Sequence, residues 1–248
     1  MIRLEDVSFG SMRDPEHAVA EGINWSVERG DFWVLAGLHG SGKSDLLMLL
    51  AGLMPPLRGS YRLLGQEMPI FDEDRLLTRL KVGLVFESGQ LLNQLTVREN
   101  IALPLRYHAN LAASQADATV QAILDELELG AWAELTPGAL GRTIQKRVGL
   151  GRALILKPEL LLLDNPLGGL DPPQIQWWLA FLLKLAAGHP LFGDRPVTLI
   201  ASASDLRPWK RCARQCAVLR GHSLQVVENW HAGQPGTADI VRELMPEI

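Results

Sequence analysis

The chain is poor in cysteine: Cys212 and Cys216 are its only two in 248 residues. They sit four apart in a segment that reads as helical, which fits neither a disulfide framework nor a zinc spacing, so both are expected to be ordinary buried thiols. Long apolar runs are missing as well. No window approaches the roughly 18 consecutive apolar residues of a membrane-spanning helix, so any association with a membrane is expected to run through a partner. The opening MIRLEDVSFG lacks a basic stretch, an apolar segment and a small-residue cleavage site in succession, which predicts a cytoplasmic chain. A basic stripe is absent too: Lys and Arg are scattered and the formal net charge is -4, so nucleic acid is not an expected partner.

What is present is enough apolar material, 47% of residues, to bury a core without cross-links. Strand-length apolar segments alternate with longer segments of helical period, the pattern of an α/β domain around a mainly parallel sheet. FWVLAG (32–37), KVGLVF (81–86), ELLLLD (159–164) and VTLIAS (197–202) are short, apolar and bounded by turn or polar residues, as buried central strands should be. Between them, 87–154 carries helical spacing, clearest from Ala112 to Leu129, and predicts a helical subdomain inserted into the sheet domain. The expected organisation is a single domain over 1–248, with the core in 1–86 and 155–230, the helical insertion in 87–154 and a tail in 231–248 that ends in a short amphipathic stretch.

The strongest motif is Gly37-Leu38-His39-Gly40-Ser41-Gly42-Lys43-Ser44, which fits GxxxxGK[ST] between an apolar strand and LLMLLAGLM, a helical run expected to stop at Pro55-Pro56. Glycines let the loop backbone curl so that successive N–H groups face phosphate oxygens, and the following helix adds the positive end of its dipole. Lys43 then supplies a point charge for the β and γ phosphates. Ser44 offers a hydroxyl to Mg2+, and Asp164, at the end of an apolar strand, offers the matching carboxylate. Gly37, Gly40, Ser41, Gly42, Lys43, Ser44 and Asp45 are therefore the candidate nucleotide contacts, and Ser44 and Asp164 the candidate Mg2+ ligands. A GTPase reading fails, because the late strand leads into SASDLRPW rather than a guanine-recognising NKxD.

Order and spacing of LEDVSF, GLHGSGKS, VFESGQLLNQLTVRENIALPL and PGALGRTIQKRVGLGRALILKPELLLLDNPLGGLDP resemble the nucleotide-binding subunits of ABC transporters over essentially the whole chain. The resemblance implies a RecA-like P-loop core with a helical subdomain. Within that family, FxSGxLxxxLTVxENIAxPLR looks most like the ATPases of lipid transporters that work with MCE-type (mammalian cell entry) lipid-binding proteins. It also implies a permease partner, a second ABC subunit that is either a copy of this chain or a competent paralogue, and a place on the inner face of the membrane through the permease.

Against the family's pattern the hydrolytic positions are degenerate. Where the resemblance implies a glutamate after the strand aspartate stands Asn165, whose amide has no basic oxygen; losing a general base costs about two to four orders of magnitude in rate. The switch histidine corresponds to Ser204, and neither His189 nor His222 is placed in sequence to replace it. The glutamine ending the KVGLVF strand corresponds to Glu87, which would repel phosphates alone but could favour Mg2+ or stand in for the lost base. The trans-acting signature becomes Leu140-Gly141-Arg142-Thr143-Ile144, where Gly141, Arg142 and Thr143 replace the capping hydroxyl and close-approach glycines. Arg142 is either a guanidinium reaching across a dimer or a solvated surface residue. Phe9 is expected to pack in the first strand rather than stack on a base, and Trp177 and Trp178 to pack a helix. The sequence thus predicts a subunit that binds Mg-ATP and hydrolyses it weakly. Its alternatives are a structural adaptor that uses ATP to stay folded and dimerised, and an active ATPase using Glu87 and Arg142 in new roles.

Overall fold

The computed structural model describes residues 1–68, 76–108, 113–228, 230 and 244. The expected tail lies outside the described residues except at Leu244, as does Ala112 at the start of the longest expected helix. Strands β1 (Ile2–Phe9), β2 (Ala20–Val27) and β3 (Phe32–Ala36) lead into helix α1 (Lys43–Leu50). Strands β4 (Arg58–Leu63) and β5 (Gln66–Glu67), helix α2 (Leu76–Arg79) and strand β6 (Val82–Val85) follow. Three helices come next: α3 (Val97–His108), α4 (Ala113–Glu126) and α5 (Arg142–Leu154). The chain then returns to strand β7 (Leu160–Leu163), helix α6 (Pro172–Ala187) and strands β8 (Thr198–Ala203), β9 (Gln215–Arg220) and β10 (Ser223–Val227).

Two sheets result among the described residues, a four-stranded antiparallel one in the order β2-β1-β4-β5 and a six-stranded one in the order β10-β9-β3-β8-β7-β6. In the second, every pairing from β9 to β6 is parallel and only the β10 edge is antiparallel. All four apolar segments singled out in the sequence are strands of this sheet. Its interior strands are buried on both faces, which is why they read as continuous apolar runs rather than as alternation. On β3, Val34 and Ala36 join a core with α3, α4, α5 and α6, while Trp33 and Leu35 join a second core with α1 and the antiparallel sheet. On β7, Leu161 and Leu163 face the first core and Leu160 and Leu162 the second.

Two local expectations are corrected. Helix α1 ends at Leu50, short of Pro55, because Gly52 adopts φ 69° and closes a Schellman turn: Gly52 N–H donates to Leu49 O and Leu53 N–H to Met48 O, both at 2.9 Å. The cysteine segment is not helical. Cys212 follows a short 3-10 turn (Arg207–Arg211) and Cys216 lies in β9, which pairs with β3 on one side and β10 on the other, so sheet pairing overrides local helical preference. Both thiols are free and buried, and burial pushes Cys216 up to about 12.

The segment LTVREN shows how the chain fixes the start of α3. Thr96 and Glu99 form a reciprocal cap, with Glu99 N–H donating to Thr96 Oγ1 (3.2 Å) and Thr96 N–H to Glu99 Oε2 (2.9 Å). Asn100, fully buried, accepts from Leu92 N–H and donates to the carbonyls of Leu92, Leu95 and Thr96, so its amide binds the preceding loop to the helix.

Candidate functional site

Parallel register puts the strand ends side by side. Ala36 pairs with Ala203, and Val85 with Leu163, which in turn pairs with Ala201, so the residues that follow β3, β6, β7 and β8 emerge along one edge of the sheet. Open α/β sheets bind ligands at this carboxyl edge, where loops can diverge around a crevice. A cleft of about 150 Å³ lies there, lined by His39, Gly40, Gly42, Lys43, Ser44 and Asp45 on one side and Glu87, Asp164, Asn165, Ser202 and Ser204 on the other.

The loop side is made by backbone conformation. Gly40 and Gly42 have φ of 78° and 92°, and a Cβ on Gly42 would stand 2.2 Å from Val19 Cγ1, so only glycine fits where the chain turns into α1. The first-turn N–H groups of α1 have no upstream carbonyl within the helix and are available to an anion. Lys43 is nine-tenths buried, and its Nζ donates to Gly37 O and Leu38 O, each at 2.7 Å. Burial holds its ammonium below the ordinary lysine value, opposed by the nearby carboxylates of Asp164 and Glu87. Ser41 Oγ is buried without a hydrogen-bond partner. An orphaned hydroxyl, a glycine-only turn and a lysine near two carboxylates fit a phosphate chain with a divalent cation.

The strand-end side is made by side chains. Ser202 Oγ donates to Asp164 Oδ1 (2.8 Å) and accepts from Asn165 N–H (2.9 Å), which fixes the aspartate and the start of the next turn together. Asn165 has φ 42°, a left-handed conformation that asparagine tolerates better than most residues. Its Nδ2 donates to Glu87 Oε1 at 2.6 Å. Gly168 is packed so closely that a Cβ there would meet Asn165 Nδ2 at 2.3 Å. Beneath the turn, buried Lys146 donates to the carbonyls of Asn165 (3.0 Å), Pro166 (3.3 Å) and Gly168 (2.7 Å). Burial again holds this ammonium below its ordinary value; Glu87 pulls it up, Arg142 pushes it down, and Asp164 pulls it up.

The structure thus brings Gly40, Gly42, Lys43, Ser44, Asp45, Glu87, Asp164, Asn165 and Ser204 into one cleft. Gly37 and Ser41 line an adjoining cavity on the other side of the phosphate loop. Gly141, Arg142 and Thr143 do not line the cleft; Gly141 precedes α5 and Arg142 is exposed at its first turn. Phe9 is fully buried, and Trp177 stacks on Phe181 with the Arg147 guanidinium 3.7 Å from its ring centre, so these aromatics pack within the fold. His189 pairs with Glu126 (3.0 Å) and His222 with Val19 O (2.9 Å), away from the cleft.

Two cleft residues, His39 and Ser202, and Lys146 beneath the cleft escaped the sequence reading. His39 brings an imidazole into the site from the phosphate loop itself, although neither histidine weighed for the switch position reaches it. Ser202 and Lys146 carried a signal: a hydroxyl in an otherwise apolar strand and an amine on the buried face of a helix each require a partner.

A model of the ABC transporter family matches residues 20–168, three fifths of the chain. The chain belongs to the ABC transporter family. The matched span holds the phosphate loop, Glu87, Asp164 and Asn165 and ends before Ser202 and Ser204. Methionine import ATP-binding protein MetN 2 of Paraburkholderia xenovorans (strain LB400) is 37% identical over 175 residues, 70% of this chain and 45% of the relative. The intermembrane phospholipid transport system ATP-binding protein MlaF of Escherichia coli (strain K12) is 33% identical over 173 residues, 69% of this chain and 63% of the relative. The match therefore spans about half to just under two thirds of these curated relatives. The solved dimeric structure of MJ0796, a bacterial ABC transporter cassette, superposes with a TM-score of 0.80 at 26% identity, covering 91% of this chain and 97% of that one. The ABC chain thus has the cassette fold, an α/β P-loop architecture with a mostly parallel main sheet.

Proposed function

We propose that this ABC chain is a transporter's ATP-binding subunit that grips Mg-ATP and hydrolyses it slowly, positioning or regulating a membrane permease. The observation that carries the reading is the Asn165 side chain, which occupies the turn after Asp164 with an amide that donates to Glu87. An amide nitrogen that donates and an amide oxygen without basicity cannot take a proton from an attacking water. Gly37, Gly40, Ser41, Gly42, Lys43, Ser44 and Asp45 would hold the nucleotide, and Ser44, Asp164 and Glu87 the Mg2+. The metal would neutralise phosphate charge. Gly141, Arg142 and Thr143 would meet the nucleotide of the opposing subunit, whether a second copy or a competent paralogue. Similarity to MlaF, together with the 86–106 segment, supports a phospholipid cargo and an MCE-type partner; similarity to MetN 2 supports a methionine-type importer instead.

Purification from membranes through a tag on this chain tests the reading. It predicts a permease and an ABC partner in the eluate, with phosphate release by that assembly far below that of an ordinary transporter; brisk release by a homodimer contradicts it. If the chain is instead an adaptor, Lys43→Ala lowers its stability and leaves cargo transfer intact in the protein that remains. One observation favours a hydrolytic alternative: the 2.6 Å contact holds a Glu87 carboxylate beside the position the lost base would occupy. In that case Glu87→Gln abolishes Mg-dependent phosphate release.

A further inference from the structure

The opposite edge of the parallel sheet carries a larger cavity, of about 740 Å³, formed where the strands begin. Gly30 and Lys81 precede β3 and β6, Glu159 precedes β7, and Thr198 opens β8. Strands of four to six residues at about 3.3 Å per residue place it roughly 15–20 Å from the nucleotide cleft, at the other end of the same sheet. Its size falls within the roughly 300–1,000 Å³ range of small-molecule sites.

The charge of the lining departs from that of the chain. The protein carries a formal net charge of -4, yet the cavity side chains are Arg29, Lys81, Lys157 and Arg195 against the single carboxylate of Glu159. Glu159 is already engaged: Lys81 Nζ lies 3.0 Å from Oε1, and Arg29 NH1 donates to Oε2. Burial pushes this carboxyl up, but hydrogen bonds and charge from Lys81 and Arg29 outweigh it and hold it below the ordinary carboxylate range. Lys157 and Arg195 have no ion-pair partner among the described residues, so the lining keeps unneutralised positive charge. Between the cations the wall is apolar, formed by buried Phe192 and Val197 beside Pro158 and Pro196. A concavity with a low-dielectric wall concentrates the field of the charges around it.

We propose that this cavity binds a phosphate monoester, with the dianionic phosphate between Lys157 and Arg195 and an apolar substituent against Phe192 and Val197. A planar guanidinium and a mobile ammonium together suit a phosphate, one by a bidentate fork and the other as a point charge. The site lies apart from the nucleotide cleft and needs none of its residues.

The test is titration calorimetry of the full chain, saturated with Mg-ATP so that the phosphate loop cannot take the probe, with phenyl phosphate and with inorganic phosphate. Phenyl phosphate is expected to bind about fivefold or more tighter than inorganic phosphate. Lys157→Glu combined with Arg195→Glu is expected to weaken it at least about tenfold, with Mg-ATP affinity within about twofold. Arg195→Glu alone provides the same readout should the double variant fold poorly. Sedimentation with phosphatidate-containing vesicles separates the two sources of such a group: charge-dependent pelleting assigns a lipid headgroup, and binding of phenyl phosphate without pelleting assigns a soluble ester. No heat from either probe, equal affinity for both, or binding unchanged by charge reversal overturns the proposal.

Discussion

The two walls of the nucleotide cleft are built from different material. On the loop side the groups that would meet phosphate are mainly backbone N–H groups, set by glycine torsions and the start of α1, with His39, Lys43, Ser44 and Asp45 lining the cleft beside them. On the strand-end side every group is a side chain: Glu87, Asp164, Asn165 and Ser202 are held by hydrogen bonds between neighbouring strand ends, and Ser204 lines the cleft beside them. A backbone cradle persists as long as glycine stays at the positive-φ positions, whereas water activation depends on one oxygen of adequate basicity. On the proposed reading, an amide rather than a carboxylate at 165 leaves the grip in place and slows the chemistry, while the nearest carboxylate, Glu87, is hydrogen-bonded to that amide from the end of the neighbouring strand.

The comparison can be sharpened by moving that carboxylate back. Combining Glu87→Gln with Asn165→Glu is expected to raise phosphate release by about 10²–10⁴, the usual worth of a general base, measured by coupled assay in the intact assembly. The left-handed φ of 42° at residue 165 works against the variant by about 1–2 kcal/mol of stability, so folding is checked by thermal melt. On the loop wall, Lys43→Ala should weaken Mg-ATP binding about a hundredfold by calorimetry, since a charge-assisted contact to phosphate is lost. Beneath the strand-end wall, Lys146→Met should cost about 2 kcal/mol in urea unfolding, because the carbonyls of Asn165, Pro166 and Gly168 lose their shared donor.

The smallest effect belongs to the far edge of the sheet. The folded value of Glu159 is depressed, so its contribution is present above the ordinary glutamate value of about 4.3 and fades as pH falls through the folded value. Acid titration should therefore lower native stability more steeply than that of Glu159→Gln, by less than about 1 kcal/mol because the pair is solvent-screened. Equal slopes would remove this ion pair from the stability account.

The sequence made the parallel strands and phosphate loop legible for a physical reason: strands buried on both faces must be continuously apolar, and a left-handed turn into a helix must use glycine. Asp164, Asn165 and Ser204 could be placed because each ends or follows such a strand. The antiparallel sheet was less legible, since its strands alternate and its β1–β4 pairing joins residues fifty or more apart. The cysteine segment misled because β9 takes its conformation from pairing with β3 on one side and β10 on the other, information carried by other parts of the chain. Lys146 could not be assigned from its own helix, because its three acceptors lie about twenty residues away on a turn whose shape only the fold defines.

The most direct test of the central claim is to measure Mg-ATP affinity and phosphate release on one preparation of the isolated chain. Tight equilibrium binding with release at least about a hundredfold slower than that of an active cassette is the predicted result. Turnover at an ordinary transporter's rate, or no binding of Mg-ATP at low salt, would contradict it.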